Sequence, residues 1–241
     1  MERFEQSSLT RALVELSAIL FSQQSMNEDL ERLVRICSHV IPHTSGVSVS
    51  MLIDGEPRTV AVTDRVSMEL DLVQYDNSDG PCLKALGGPT VRIGYIPHNE
   101  EFPHFAIGAA DRRVVSSLSI PVRHEGQVIG SLNLYSQVPH AFDARSEEAA
   151  LVFAAEVALA IVASDLFRQA KALRINLQQA HDDAASVSQA EGVLMGIHRC
   201  TAAQAHTLID SAADANHETL AAVAERILET VRDLDGSATD T

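Results

Sequence analysis

The sequence predicts an α+β protein: an antiparallel sheet with helices on one face, joined by a long coiled-coil helix to a C-terminal three-helix unit. Three observations carry this. Between Val47 and Tyr135, five short segments read as strands, the first with apolar and polar residues alternating. Between Asp143 and Arg199 there is no Pro, the first Gly is Gly192, and Leu159, Leu166, Leu173, Ala180, Val187 and Leu194 recur every seven residues. Beyond Arg199 come two further apolar stripes of helical period.

The elements follow in order. Leu9, Leu13, Leu16 and Leu20 have helical spacing, as do Leu30, Leu33, Val34, Cys37 and Val40, so helices are predicted over Leu9–Phe21 and Met26–Val40. Asn27 suits the N-cap of the second, and Pro42 ends it. Val47, Val49, Met51 and Ile53 form a strand, Asp54-Gly55 a hairpin turn, and Thr59–Thr63 the returning strand. Val66–Tyr75 reads as a short helix. Gly80-Pro81 then opens another, because Pro suits the first helical position. Thr90–Ile93 is a third strand. Gly94–Val114 reads as a loop with a short helix near Phe102–Ala110. Ser117–Val122, a turn at Glu125-Gly126, and Val128–Tyr135 complete the sheet.

The long helix starts at Asp143 or Ser146. A second row, Val162 or Ala163, Ala170, Leu177 and Ala184, falls between the sevens. A helix in water does not leave such a stripe bare, so the seam at Leu159, Leu166, Leu173, Leu177, Val187 and Leu194 predicts a homodimer. From Leu166 to Leu194 the rod is about 42 Å long at 1.5 Å per residue. Thr201 and Gln204 have capping-box spacing. Ala205, Leu208, Ile209 and Ala212 stripe one helix. Leu220, Val223, Ala224, Ile227, Leu228 and Val231 stripe the next, which begins near Asn216 or His217. The expected domains are 1–163, a linker helix 164–185, the three-helix unit 186–234 and a flexible tail 235–241.

Composition bounds the function. The 241 residues are 46% apolar and carry 18 basic against 33 acidic side chains, a formal charge of −15. That balance disfavours broad attraction to nucleic acid or anionic membrane. Lys84 and Lys171 are the only lysines. Cys37, Cys82 and Cys200 are far apart and form no CxxC pair, so neither a disulfide framework nor a zinc site is expected. Met1–Thr10 lacks the apolar stretch of a signal peptide, and the longest apolar run, Ala149–Ala163, is broken by Glu156. A soluble, cytoplasmic protein without membrane association, metal or cofactor is expected.

Leu70–Tyr75, Gly80-Pro81-Cys82-Leu83-Lys84-Ala85, Ser117–Pro121 and Gly130–Ser136 together resemble the GAF sensory domain, in particular the branch joined to ANTAR domains in bacterial regulators. Gln189–Met195, with Thr201, Ala205, Leu208, Leu220, Val223-Ala224 and Ile227, resembles ANTAR itself. The resemblance implies a dimeric, non-enzymatic, cytoplasmic signalling protein. In that family the GAF domain senses a signal, and the ANTAR domain binds paired hairpins of nascent RNA and prevents transcription termination. By position, Gln74, Tyr75, Cys82, Phe105, Ser117, Asn133 and Tyr135 would line a pocket for a small-molecule signal. The residue set of cyclic-nucleotide GAF domains and a Cys-His pair for a bilin are both lacking. A GAF domain that is purely structural is the bland alternative.

The candidate RNA contacts are Gln189, Gly192, His198, Arg199, His206, Asn216, His217 and Arg226. Several positions depart from the family: Ala184 and Glu191 stand where Arg and a basic residue are common, His206 where an aromatic is, and Thr219 and Ala221 where Lys and Arg are. Residues 186–232 hold three basic against six acidic side chains and no Phe, Tyr or Trp. RNA affinity leans on phosphate neutralisation and base stacking, so weak binding is expected, and a protein partner in place of RNA is the alternative. Gly192 and Gly196 read as sites of close helix packing, and Met195 as core. His98 and His104 read as solvated loop residues. Cys82 at a helix start raises a remote thiol-reductase reading; a small buried hydrophobe is the better one.

Overall fold

The computed structural model describes residues 26–237, with side-chain surroundings through Arg232; the helix expected over Leu9–Phe21 lies outside the described residues. Two compact units divide at Leu166/Phe167.

In the first unit, helix α1 (Met26–Val40) has the expected bounds and includes Asn27, which is therefore not its cap. It buries Leu30, Leu33, Val34 and Cys37. Each of these leucines is worth roughly 1.5–3 kcal/mol of apolar burial. Strands β1 (Gly46–Ile53) and β2 (Glu56–Val62) form a hairpin whose turn residues Asp54 and Gly55 both have positive φ, at 55° and 82°. This is the mirror-image turn that matches strand twist, and Gly takes it without strain. Glu125 and Gly126 repeat it between β4 (Ser116–His124) and β5 (Gln127–Ser136). Between the hairpins lie α2 (Arg65–Asn77), α3 (Pro81–Leu86), β3 (Val91–Ile93), a 3-10 turn at Ile96–His98 and α4 (Pro103–Asp111). The sheet runs β2-β1-β5-β4-β3, with every neighbouring pair antiparallel.

The α+β class is as expected, but helices cover both faces of the sheet rather than one. On the first face, α1 and the start of α5 (Ala144–His198) pack on Val47, Val49, Leu118, Ile120, Leu132 and Leu134. On the second, α2 and α4 enclose Leu70, Val91, Ile93, Phe105 and Tyr135. Ser48 and Ser50 are the polar members of the alternation in β1. Both are fully buried, because that face carries hydroxyls and an amide that bond to one another under the helices.

Asp143 caps α5: its Oδ1 accepts from the Ser146 backbone N–H at 2.9 Å and the Ser146 hydroxyl at 3.1 Å. Those bonds hold the Asp143 carboxyl below its ordinary value. By length and composition α5 contains a stretch apolar enough to cross a membrane. The composition has a local cause. Phe153, Ala154, Val157, Ala158 and Ile161 are buried on the sheet, while Leu151, Val152, Leu159 and Leu166 make a second, outward apolar row. A helix with two apolar faces is apolar nearly all round.

The second unit holds the end of α5 with α6 (Ala202–Asn216) and α7 (Leu220–Ser237). Helix α7 runs into the segment expected as a tail. Ala190, Ile209, Ala213, Val223 and Ala224 form the core, with Val187, Leu194, Leu220, Ile227 and Leu228 packed against it. Two expected core residues lie elsewhere: Leu208 is 47% exposed and Met195 37%. The helices of this unit enclose only a narrow line of buried side chains, and Leu208 and Met195, each one position off that line, fall at its rim. The capping box at the start of α6 is complete, with Gln204 Oε1 accepting from the Thr201 N–H at 2.9 Å. Thr201→Ala is expected to cost about 1 kcal/mol, read as a lower denaturation midpoint for the helical signal; an unchanged midpoint contradicts the role.

Candidate functional site

Two places hold the residues singled out from the sequence, one inside the first unit and one on the surface of the second. The first grows from the inward face of α2. Ser67, Asp71 and Gln74 are all buried polar residues at helical spacing, and Tyr75 lies beside them. Asp71 is fully buried. Its Oδ1 accepts from the Tyr135 hydroxyl at 2.6 Å and the Ser48 hydroxyl at 3.0 Å, and its Oδ2 accepts from the Thr59 hydroxyl at 2.8 Å. Removal from water outweighs these bonds and pushes the carboxyl up to about 6.

Gln74 links this carboxylate to α3. Its amide nitrogen donates to Tyr135 Oη at 3.1 Å, and its oxygen accepts from the Cys82 backbone N–H at 2.9 Å. Tyr75 donates to Ser50 Oγ at 2.7 Å, and Asn133 Nδ2 donates to Ser50 and Ser48 at 3.0 and 3.2 Å. The Phe105 ring lies 6.4 Å from that of Tyr135. Ser117 pairs with Tyr135 across β4 and β5, and its hydroxyl is buried without a partner. The seven expected pocket residues thus share one covered face. The group that organises them, Asp71, was not among the expected ones. Its signal was present: a carboxylate three and four positions before Gln74 and Tyr75 on an otherwise inward helix face.

Cys82 opens α3 at its second position, where a helix start would lower a thiol pKa. Burial, reinforced by the Asp71 charge, instead raises it well above the ordinary value. Cys37 is also pushed up by burial. Such thiols are poor nucleophiles.

On the second unit, Gln189, Gly192, His198, Arg199, His206, Asn216, His217 and Arg226 are all exposed. The structure groups His198 and Arg199 with Cys200, Gln204, Thr207 and Leu208 around a concavity of about 530 Å³. The others stand apart from it. Arg226 holds Glu218 at 2.8 and 2.6 Å, and His206 lies 2.7 Å from Glu191. Asn216 donates to the Ala212 carbonyl, and His217 takes a left-handed conformation that ends α6. A Cβ at Gly192 or Gly196 would meet nothing, so neither glycine serves close packing within the chain.

The seam residues divide. Leu159, Leu166, Leu173 and Leu177 are exposed, whereas Val187 and Leu194 are half-buried against the three-helix core. Exposed Val152 extends the row of sevens by one step towards the start of α5.

The family model for the GAF domain matches residues 24–162, and that for the ANTAR domain matches residues 176–228. No curated protein matches the chain. Among solved structures, the chain is similar to the GAF domain of a phosphoenolpyruvate-protein phosphotransferase from Coxiella burnetii. The identity is 15% and the TM-score 0.53, over 68% of this chain and 98% of that one. The corresponding domain from Acinetobacter is similar at 16% identity and a TM-score of 0.51, over 69% and 97% of the two chains. So is free methionine-R-sulfoxide reductase from Neisseria meningitidis, solved with its substrate, at 16% identity and a TM-score of 0.52, over 66% and 89%. At these identities the likeness is one of fold.

Proposed function

From the premise that this chain belongs to the GAF domain family and carries an ANTAR domain behind it, we propose that it is a signal-responsive regulator that binds RNA and modulates transcription termination. The observation that carries the reading is the order of the two domains in one chain, sharing helix α5. The GAF unit senses the signal through its covered polar face, which takes a small molecule at Gln74, Tyr75, Cys82, Phe105, Ser117, Asn133 and Tyr135. The exposed row on α5 pairs with that of a second copy. The ANTAR unit meets paired RNA hairpins through Arg199 and His198 at the concavity, and through Gln189, Gly192, His206, Asn216, His217 and Arg226 elsewhere on its exposed surface. The protein acts in the cytoplasm, in keeping with three free cysteines, and performs no chemistry of its own. The raised thiols of Cys82 and Cys37 favour a regulator over a thiol reductase.

A second reading has one observation behind it: Arg226 and His206 are engaged by Glu218 and Glu191, which leaves a surface poor in free cations, with exposed Leu208 and Met195 suited to a protein partner. Fluorescence anisotropy with a two-hairpin RNA separates the two. Binding is expected at low salt, weakening on the order of tenfold between 50 and 200 mM as two or three phosphate contacts are screened. Absence of binding at 50 mM overturns the RNA reading in favour of a protein partner.

A further inference from the structure

We propose that Asp71 is a proton-operated latch that seats α2 on the sheet of the GAF unit. The geometry comes first. One carboxylate on α2 holds three strands at once, through Ser48 of β1, Thr59 of β2 and Tyr135 of β5. Through Tyr135 and Gln74 the same network reaches the backbone of Cys82 at the start of α3. All its donors are neutral hydroxyls; among the described residues no Lys, Arg or His bonds to it. A fully buried carboxylate without a cation is costly to ionise.

Every titratable group around it adds to that cost or is neutral. Asp64, at the N-cap of α2, disfavours the charge on Asp71. Tyr75, on α2, Tyr135, on β5, and Cys82, on α3, are all raised by burial and by Asp71 itself, so they stay protonated. Strands β1 and β2 contribute Ser48, Ser50 and Thr59, and α4 contributes Phe105. Hydroxyls donate or accept according to rotation, so this shell can hold either form of the carboxyl. The same sheet face also carries buried atoms without partners, Asn133 Oδ1 and the hydroxyls of Ser117, Ser119 and Ser131, which can receive protons when hydroxyls turn.

The direction of the pH effect follows from the carboxyl's displacement. Its folded value of about 6 lies above the ordinary 3.8, so the native state holds more protons than the unfolded one between those values. The stabilisation is fully present below the ordinary value and is lost as pH rises through about 6. Raising pH therefore loosens the seat of α2.

The test uses the full chain. Urea unfolding of wild type and Asp71→Asn is compared at pH 5 and pH 7, and the Asp71 carboxyl carbon is followed by NMR in the wild type. From pH 5 to pH 7 the wild-type unfolding constant is expected to rise about tenfold more than that of Asp71→Asn, which keeps a neutral side chain at both. The carboxyl carbon is expected to titrate near pH 6. Equal pH responses in the two proteins, or titration of Asp71 at an ordinary carboxylate value, overturns the latch. If Asp71→Asn does not fold, the NMR titration alone decides.

Discussion

Leu166→Asp together with Leu173→Asp is expected to turn a dimer into a monomer in sedimentation and to abolish binding of a two-hairpin RNA. Both leucines are well exposed within one chain, at 61% and 59%. They belong to the row Val152, Leu159, Leu166, Leu173, with Leu177 on the intervening row, along roughly 38 Å of helix. Each leucine in a paired seam is worth roughly 1.5–3 kcal/mol of burial, and each carboxylate in its place must either stay in water or be desolvated beside its symmetry mate. Two such changes remove several kcal/mol, at least a hundredfold in the dimer constant. Loss of RNA binding would follow because two linked sites gain from a high effective concentration. Neither leucine belongs to the core of either unit, so the helical content should be unchanged. A dimer that survives the double substitution refutes the seam.

Gly80→Ala is expected to destabilise the GAF unit by about 3 kcal/mol, seen as a fall in its thermal midpoint of roughly 6–12 °C. Gly80 has φ of 152° and caps α3 from a backbone conformation that L side chains rarely adopt. A Cβ there would stand 2.6 Å from Gln74 Cδ and closer still to the amide oxygen and Cγ. Gln74 is fully buried, and its displacement breaks the bonds to Tyr135 and to the Cys82 N–H together. A buried group left unpaired costs about 1–3 kcal/mol in addition to the backbone strain. A midpoint within a degree of wild type would mean that Gln74 moves freely, and that the network is not the tie between α2 and α3 described above.

Much of the fold could be read from the sequence because local chemistry and tertiary contacts agree there. Asp54-Gly55 and Glu125-Gly126 lie in mirror-image turns, Pro81 opens α3, Asp143 caps α5, and Thr201 with Gln204 forms the capping box. Each of these signals needs only neighbours within four residues. The periods of two and of three to four placed the strands and helices for the same reason. That Gln74, Tyr75, Asn133 and Tyr135 belong together was legible as a set of positions, and they share one buried, hydrogen-bonded face. Its centre was only hinted at: Asp71 stands three and four positions before Gln74 and Tyr75, but the sheet beneath α2 is what makes it a buried acceptor of three hydroxyls.

The same division applies to the long helix and the surface behind it. Residue spacing alone established a continuous helix, an apolar row every seven residues and a unit poor in cations. Tertiary packing decided how that row is used: Val187 and Leu194 turn into the three-helix core while Leu159, Leu166, Leu173 and Leu177 stay outside. It also set Glu218 and Glu191 against Arg226 and His206, leaving Arg199 and His198 at the concavity. Covering both sheet faces was likewise beyond the local pattern. A serine on a strand looks solvent-facing until another element buries it, and whether its hydroxyl then finds a partner depends on residues far away in the chain.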